Sequence, residues 1–398
     1  MILAPSGSEL AARRDRLRAL VARERAAGAC LFSPLSVLYF TGFAFIPTER
    51  PLALIVTADG PTTLFVPRLE QEHAAALADA DAVIAYPEYP GDRHPMHLLA
   101  DHLTAAGVAL GILAVDDDGY SGGCGYRGPA LSTLLPQADV RKIGPGIDAM
   151  MAVKSAQELA LFRESARWGH RAHELLQRYT RPGVKEIDIS EQASREASAQ
   201  MLAELGDAYR PYGWMSAGAH AGYRGQIGPH SALAHAMITN AQIQPGDVLV
   251  SGATAGMAGY YSELERTMIV APVSAEAAAF FSLMLEMQQV ALDALRPGRR
   301  CADVDRVVRK YFADRNLTPY WRHHTGHSIG LGVPNHQAPY LDSGDPTEIQ
   351  PGMVFSIEPG IYVPGLGGFR HSDTVVVTES GAEPLTSYPR DLERLTIR

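Results

Sequence analysis

The spacing of apolar and polar positions changes several times along the chain. Residues 8–27 carry leucines and Val21 at helical intervals with Arg and Glu between them, which predicts an amphipathic helix. Four apolar runs follow, "ACLFSP", "VLYFTGF", "LALIVTADG" and "TTLFVP", and read as strands; "VALGILAV" (108–115) is also of strand length. "RLEQEHAAALADA" and "MHLLADHLTAAG" read as helices. Alternation of this kind to about residue 143 predicts a compact α/β domain over 1–146. "KIGPGIDAM" (142–150), with two glycines and a proline, reads as a linker. A second domain over 147–398 then opens with a capping-box pattern, Ser155 to Glu158, ahead of the long helical stretch "SAQELALFRESARWGHRAHELLQRY".

The second domain contains an internal echo. "RPGVKEIDI" (181–189) and "RPGRRCADV" (296–304) share Arg-Pro-Gly, and Asp188 matches Asp303 at the same offset. Each follows a helical segment and opens another, which predicts a duplicated unit with its site between the halves. The strand-like runs "GDVLVSGATAG", "GYYSELERTMIVA", "GMVFSIEPGIYV" and "SDTVVVTES" are bounded by glycines and suit antiparallel hairpins. This half is therefore expected to be α+β, a sheet covered by helices.

Composition narrows the function. At 46% hydrophobic and 20% charged residues, both halves of the 398-residue chain can bury a core. A net charge of −9 and a pI near 5.9 disfavour nucleic acid, which requires clustered Lys and Arg, and leave room for a small or cationic substrate. Cys30, Cys124 and Cys301 are too far apart for a paired-cysteine site or a disulfide framework, so a reduced, cytoplasmic setting is expected. The start of the chain lacks the apolar core of a signal peptide, and no run of about 18 apolar residues exists to span a membrane.

Candidate chemistry gathers in the second domain. In "GYYSELERT" (259–267), Glu263 and Glu265 stand two apart, so in a strand both would face one side. "PYWRHHTGHSIGLGVPNHQAPYL" (319–341) packs His323, His324, His327 and His336 among glycines that let the backbone approach a ligand. "SIEPGIY" places Glu358 at the end of an apolar run, where an unpaired carboxylate is costly; a structural salt bridge is the plainer alternative. "GGFRHSDTVVV" adds Arg370, His371 and Asp373, and "SALAHAMITN" sets His235 alone in an apolar stretch.

These segments resemble the pita-bread-fold family of methionine aminopeptidase, prolidase, aminopeptidase P and creatinase over nearly all of 150–398, and the two-domain layout resembles its prolidase and creatinase branch. The resemblance implies a pita-bread C-terminal domain with an internal pseudo-twofold axis. The peptidases of that family hold two metal ions through two aspartates, a histidine and two glutamates. Carried over, the histidine falls on His327, the first glutamate on Glu358 and the second aspartate on Glu263; the first aspartate falls on Gly252 and the last glutamate on Ser372. Two ligands are thus missing and a third is altered, although Glu263, His327 and Glu358 could still hold one zinc ion.

The departures resemble creatinase, which hydrolyses a guanidinium group without metal. That resemblance implies catalytic roles for His235, Glu265, Glu358 and His327, and substrate contacts for Tyr261, His336, His371 and Glu263. It also implies that Arg50, in "TERPLALIV", serves the site of a neighbouring subunit in a homodimer. The expectation is a metal-independent hydrolase, needing no cofactor, that cleaves a C–N bond of a small cationic or zwitterionic compound. His235 would be its general base, and Glu265 and Glu358 would grip the cation. A metal-dependent Xaa-Pro peptidase and a non-catalytic binding module are the alternatives.

Overall fold

The computed structural model describes residues 2–120, 126–213, 218–332 and 336–398, so Cys124 lies outside the described residues, while Cys30 and Cys301 are buried free thiols. The chain forms two compact units that divide between Met151 and Ala152.

The N-terminal unit opens with α1 (Gly7–Arg23), whose first turn is capped by the Ser6 hydroxyl accepting from Glu9 N. Its sheet runs β4 (Ala82–Tyr86), β3 (Thr62–Pro67), β2 (Ala53–Thr57), β1 (Ala26–Leu31), β5 (Gly111–Val115), β6 (Ala138–Lys142). The β1–β2 and β2–β3 pairs are antiparallel and the other three parallel. The helices α2 (Pro34–Thr41), α3 (Gln71–Leu77), α4 (Pro95–Ala105), α5 (Leu131–Leu134) and α6 (Gly144–Ala152) complete a mixed α/β layer.

Two local expectations fail here. "VLYFTGF" is not a strand but most of α2. Its helical signals are Pro34 in the first turn and Gly42 at the end, in the left-handed conformation (φ 68°). Burial of Val37, Tyr39, Phe40 and Thr41 erases the polar face that would reveal helical spacing. The glycines of the expected linker stand inside α6, where Gly144 and Pro145 form the first turn.

The C-terminal unit is built twice over. Helices α7 (Ala156–Tyr179) and α8 (Glu186–Leu205) precede strands β7 (Ala219–Gly222), β8 (Val248–Met257), β9 (Tyr260–Tyr261) and β10 (Leu264–Val270). Helices α9 (Ala275–Ala294) and α10 (Cys301–Asp314) precede β11 (Gly326–Ile329), β12 (His336–Leu341), β13 (Val354–Ile357), β14 (Gly360–Val363), β15 (Gly367–Arg370) and β16 (Ser372–Thr378). The sheet order β12-β11-β13-β16-β10-β8-β7 puts the last long strand of each half side by side, antiparallel, at the centre. The capping box at the head of α7 forms as the sequence predicts, and the spare Glu158 oxygen accepts from the Tyr260 hydroxyl at 2.9 Å.

The Arg-Pro-Gly echo is structural. Gly183 and Gly298 both adopt positive φ, 86° and 79°, which a glycine tolerates without strain. Gly183 N donates to Ile243 O at 2.8 Å and Gly298 N to Ile349 O at 2.9 Å. Both acceptors open the same tetrapeptide, Ile-Gln-Pro-Gly, which leads into β8 in one half and β13 in the other. Each half thus closes its helix pair onto its own central strand with the same turn.

One buried carboxylate ties down the loop ahead of β8. Glu186, in the first turn of α8 and 1% exposed, accepts from Gly225 N (2.9 Å), Thr239 N (2.6 Å) and Asn240 N (2.8 Å). Its acidic charge also suits the helix N-terminus. The loop between those contacts carries Arg224 at one end and His235 near the other. Glu186→Ala would strand three backbone donors, each of which then lacks a charged acceptor. Denaturant unfolding is expected to show a loss of about 3 kcal/mol; a loss below about 1 kcal/mol would show that the loop is held by something else.

Candidate functional site

The site lies on one face of the central strands. The ladder aligns Gly222 of β7 with Gly252 of β8, Gly252 with Glu265 of β10, and Glu265 with Ser372 of β16. One row across the sheet therefore holds Gly252 and Ser372, where the resemblance had implied metal ligands, with Glu265 between them. A side chain at 252 would point into this space, since a Cβ built there comes 3.7 Å from Glu265 Oε1. Glu263, two residues before Glu265, faces the same way, and its Oε1 accepts from Ser372 Oγ at 2.6 Å.

The expectation that Glu265 and Glu358 grip a substrate cation is corrected by the structure, because the chain supplies that cation itself. Arg370 Nε and Nη2 donate to Glu265 Oε2 and Oε1 at 2.5 and 2.8 Å, a two-pronged grip, and Arg370 Nε is 3.8 Å from Glu358 Oε2. Its Nη1 donates to the Tyr362 hydroxyl at 2.8 Å. That hydroxyl meets His323 Nε2 at 2.7 Å, and His323 Nδ1 meets His324 O at 2.8 Å, so Nδ1 carries the proton and Nε2 accepts from the tyrosine. Arg370 is 2% exposed and fully engaged. Arg224 Nη2 reaches Glu265 Oε1 at 2.8 Å from the opposite side, so one carboxylate serves two guanidiniums.

His327 shows what the rest of the cluster lacks. Its Nδ1 donates to Ser328 O at 3.0 Å, which leaves Nε2 as the lone-pair side of the neutral ring. Nε2 is buried, forms no hydrogen bond, and faces Glu358 Oε1 at 3.3 Å and Glu263 Oε2 at 3.9 Å. Three electron-rich atoms thus converge with no donor between them, and a proton or a metal ion must sit there. Burial by itself would lower the pKa of His327, but Glu358 and Glu263 outweigh it and raise it to about 9. Burial and then the Glu358 and Glu265 charges push Glu263 up to about 7. Burial opposes ionisation of Glu358, yet His327 and Arg370 hold its pKa far below the ordinary carboxylate value.

The donor set fits one divalent ion. Ligand atoms of Glu263, His327 and His336 lie within 4.8 Å of one another, and the same holds for Glu263, Glu265 and Glu358. Glu265 is already committed to two arginines. Glu263, His327 and His336 remain, with Glu358 alongside, and two histidines with a glutamate is a known zinc-peptidase set.

The other expected residues are scattered. His336 stacks on His327 with centroids 3.6 Å apart; burial of its ring, then His327, depress its pKa to about 4. Tyr261, in β9, lines a cavity of about 180 Å³ with Glu263, Glu265, Gly252 and Arg224. His235 is exposed on its loop and is near enough to His336 for its charge to be felt there, but it is not part of the cluster. Arg50 belongs to the N-terminal unit and pairs with Glu49 at 2.5 Å.

His371 does not face the pocket. It is buried on the other side of the strands, where Nδ1 accepts from Thr267 N at 3.1 Å, Nε2 donates to Arg390 O at 3.1 Å and the ring meets Phe281 edge-on. Asp373 turns to that side too, pairing with the buried Arg266 at 2.7 Å. Sequence reasoning missed Arg370 as an internal counter-ion and Arg224 altogether. The one available signal was that a carboxylate as buried as Glu265 requires a cationic partner.

Two outcomes follow from these pairings. Glu265→Ala leaves Arg370 buried beside one distant carboxylate, and a loss of about 3–5 kcal/mol in urea unfolding is expected; a loss under about 1 kcal/mol would mean that Arg370 is not sustained by Glu265. His371 is held neutral, since burial and then Arg266 push its pKa well down. The unfolded chain takes up a proton there below about pH 6.5 and the folded chain does not, so the stabilisation is complete above that pH and is lost as pH falls. Melting temperatures of His371→Asn should decline less between about pH 6.5 and 5 than those of the parent; parallel profiles would contradict this.

Comparison with known proteins gives the arrangement its context. The profile of the metallopeptidase family M24 matches residues 160–379, and that of the creatinase/prolidase N-terminal domain matches residues 13–150. A relative from Mycobacterium tuberculosis, named probable dipeptidase PepE, is 30% identical over 393 residues, spanning 97% of this chain and 96% of the relative. The crystal structure of dipeptidase PepE from Mycobacterium ulcerans superposes with a TM-score of 0.80 at 28% identity and 99% coverage of both chains. The Xaa-Pro dipeptidase from Bacillus anthracis shares the fold, with a TM-score of 0.78 at 23% identity over 96% of this chain and 99% of that one. The expectation of a creatinase-like, metal-independent hydrolase of a non-peptide C–N bond is overturned by these relatives, which are named as enzymes of peptide bonds. With half of its length matched by the family profile and almost all of it aligned to a dipeptidase, the chain belongs to metallopeptidase family M24.

Proposed function

We propose that this chain is a dipeptidase that hydrolyses the peptide bond of small dipeptides, with Xaa-Pro dipeptides the first class to test, using one divalent metal ion. One observation carries the reading: the lone-pair side of buried His327 converges on Glu358 and Glu263 with no donor between them. Glu263, His327 and His336 would hold the ion, which when bound supplies Lewis acidity and a more acidic water. The names of the relatives support the peptide-bond assignment.

The chain's own groups supply the rest. Glu358 stays ionised beside His327 and Arg370, so it is suited to take a proton from the attacking water and pass it to the leaving nitrogen. Arg370, locked by Glu265 and Tyr362, keeps that carboxylate charged without moving during the reaction. Ser328 O fixes the His327 tautomer, so its Nε2 always faces inward. His235, exposed at the rim, stands outside these proton steps.

Metal analysis of purified protein should find about one ion per chain, and chelation should abolish turnover of Ala-Pro and Ala-Ala, with recovery on adding Zn²⁺, Mn²⁺ or Co²⁺. Glu358→Gln and His327→Ala should each lower kcat/KM by roughly 10²-fold or more. Failure to hydrolyse any dipeptide with any of these metals would reject the assignment, and two ions per chain would reject the single-metal form.

A further inference from the structure

We infer that Arg224 makes the enzyme selective for dipeptides by pairing with the free C-terminal carboxylate of the substrate, in a trough opened by Gly252. The inference rests on the dipeptidase reading above and adds the group that measures substrate length.

Three observations carry it. The first is spare charge. Arg224, two residues beyond the end of β7, is 50% exposed and has positive φ (52°). Only its Nη2 is engaged, by Glu265 Oε1 at 2.8 Å and Gln226 Oε1 at 3.3 Å, while Nε and Nη1 form no hydrogen bond among the described residues. Glu265 is bound twice by Arg370, so its one negative charge is shared between two guanidiniums and leaves a positive charge at the exposed one. An arginine with open donors in a planar fork suits a carboxylate.

The second is room. Gly252, paired with Gly222 across β7 and β8, brings no side chain into the space beside Glu265, where a Cβ would come 3.7 Å from Oε1. The cavity over them, about 180 Å³, is lined by both glycines, Arg224, Tyr261, Glu263 and Glu265. It has room for a terminal residue beside Arg224.

The third is distance. Arg224 Nη2 is 2.8 Å from Glu265 Oε1, and the Glu265 carboxylate lies within 4.8 Å of Glu263, a member of the proposed metal-holding set. Two short contacts thus separate the guanidinium from Glu263, a span that takes one residue, at most about 3.6 Å long, with a hydrogen bond at the guanidinium end. In a dipeptide the carboxylate lies one residue beyond the cleaved bond. In a tripeptide that position is a neutral amide, which cannot offset the charge of Arg224.

The experiment uses the Glu358→Gln protein, in which turnover is suppressed, and titrates it calorimetrically with Ala-Pro and with Ala-Pro amide. The acid should bind at least about tenfold tighter than the amide. Adding R224A should bring the ratio close to one, and R224K should restore part of it, because one ammonium provides the charge without the fork. Circular dichroism melts check that each variant is folded. Equal affinities in the parent, or an acid preference that survives R224A, would overturn the inference. Because binding is read without turnover, these outcomes are separate from a failure of the dipeptidase reading, which would appear as absent hydrolysis by the unmutated enzyme.

Discussion

The buried pairing of Arg370 with Glu265 is the constraint on which the site depends. A guanidinium that is 2% exposed cannot stay charged without a carboxylate at hydrogen-bond distance. Glu265 supplies it from β10, while Arg370 comes from the end of β15, 105 residues later. Breaking the pair would leave charge stranded in the middle of the sheet. The pair also settles what Glu265 is for: a carboxylate held twice by one arginine and once by another is not available to a second metal ion. The row that carries it is flanked by Gly252 and Ser372, neither of which can offer an anionic oxygen. The groups that remain free, Glu263, His327 and His336, could hold one ion.

The two faces of the central strands divide the work. Glu265 and Arg370 meet on one face, and Arg266 and Asp373 meet on the other, so neighbouring residues of β10 serve different ion pairs. The Arg266 guanidinium also donates to carbonyls of Glu265, Ser372 and Pro389, which locks β10 against β16 where the two halves of the duplication join. The far face gives rigidity, and the near face presents His327, Glu358 and Glu263 from strands that it holds in register.

Much of the scaffold was legible because local rules suffice for it. The capping box at Ser155 and Glu158 formed as read, and the Arg-Pro-Gly echo marked a real duplication, since turn chemistry acts over a few residues. The expectation of a strand at "VLYFTGF" failed because α2 is buried on several faces and its apolar run has no period. His371 was expected at the pocket because it adjoins Ser372, but adjacent residues on extended backbone point to opposite sides, and only the register of β16 shows which. The expectation of a guanidinium substrate was wrong, and the burial that misled it is visible in the site. Two carboxylates do face such a group, and it belongs to the protein.

By itself the amino-acid sequence determined the two-domain plan and the helix pairs and turns of the duplicated half, because these follow from short-range spacing and residue type; that His327, Glu358, Glu263 and Glu265 share one site was legible only through the family resemblance. Only the tertiary structure decided which charges neutralise one another. That outcome depends on strands from distant parts of the chain lying in one row, and on burial, which makes a pairing across 105 residues stronger than any choice visible between neighbours.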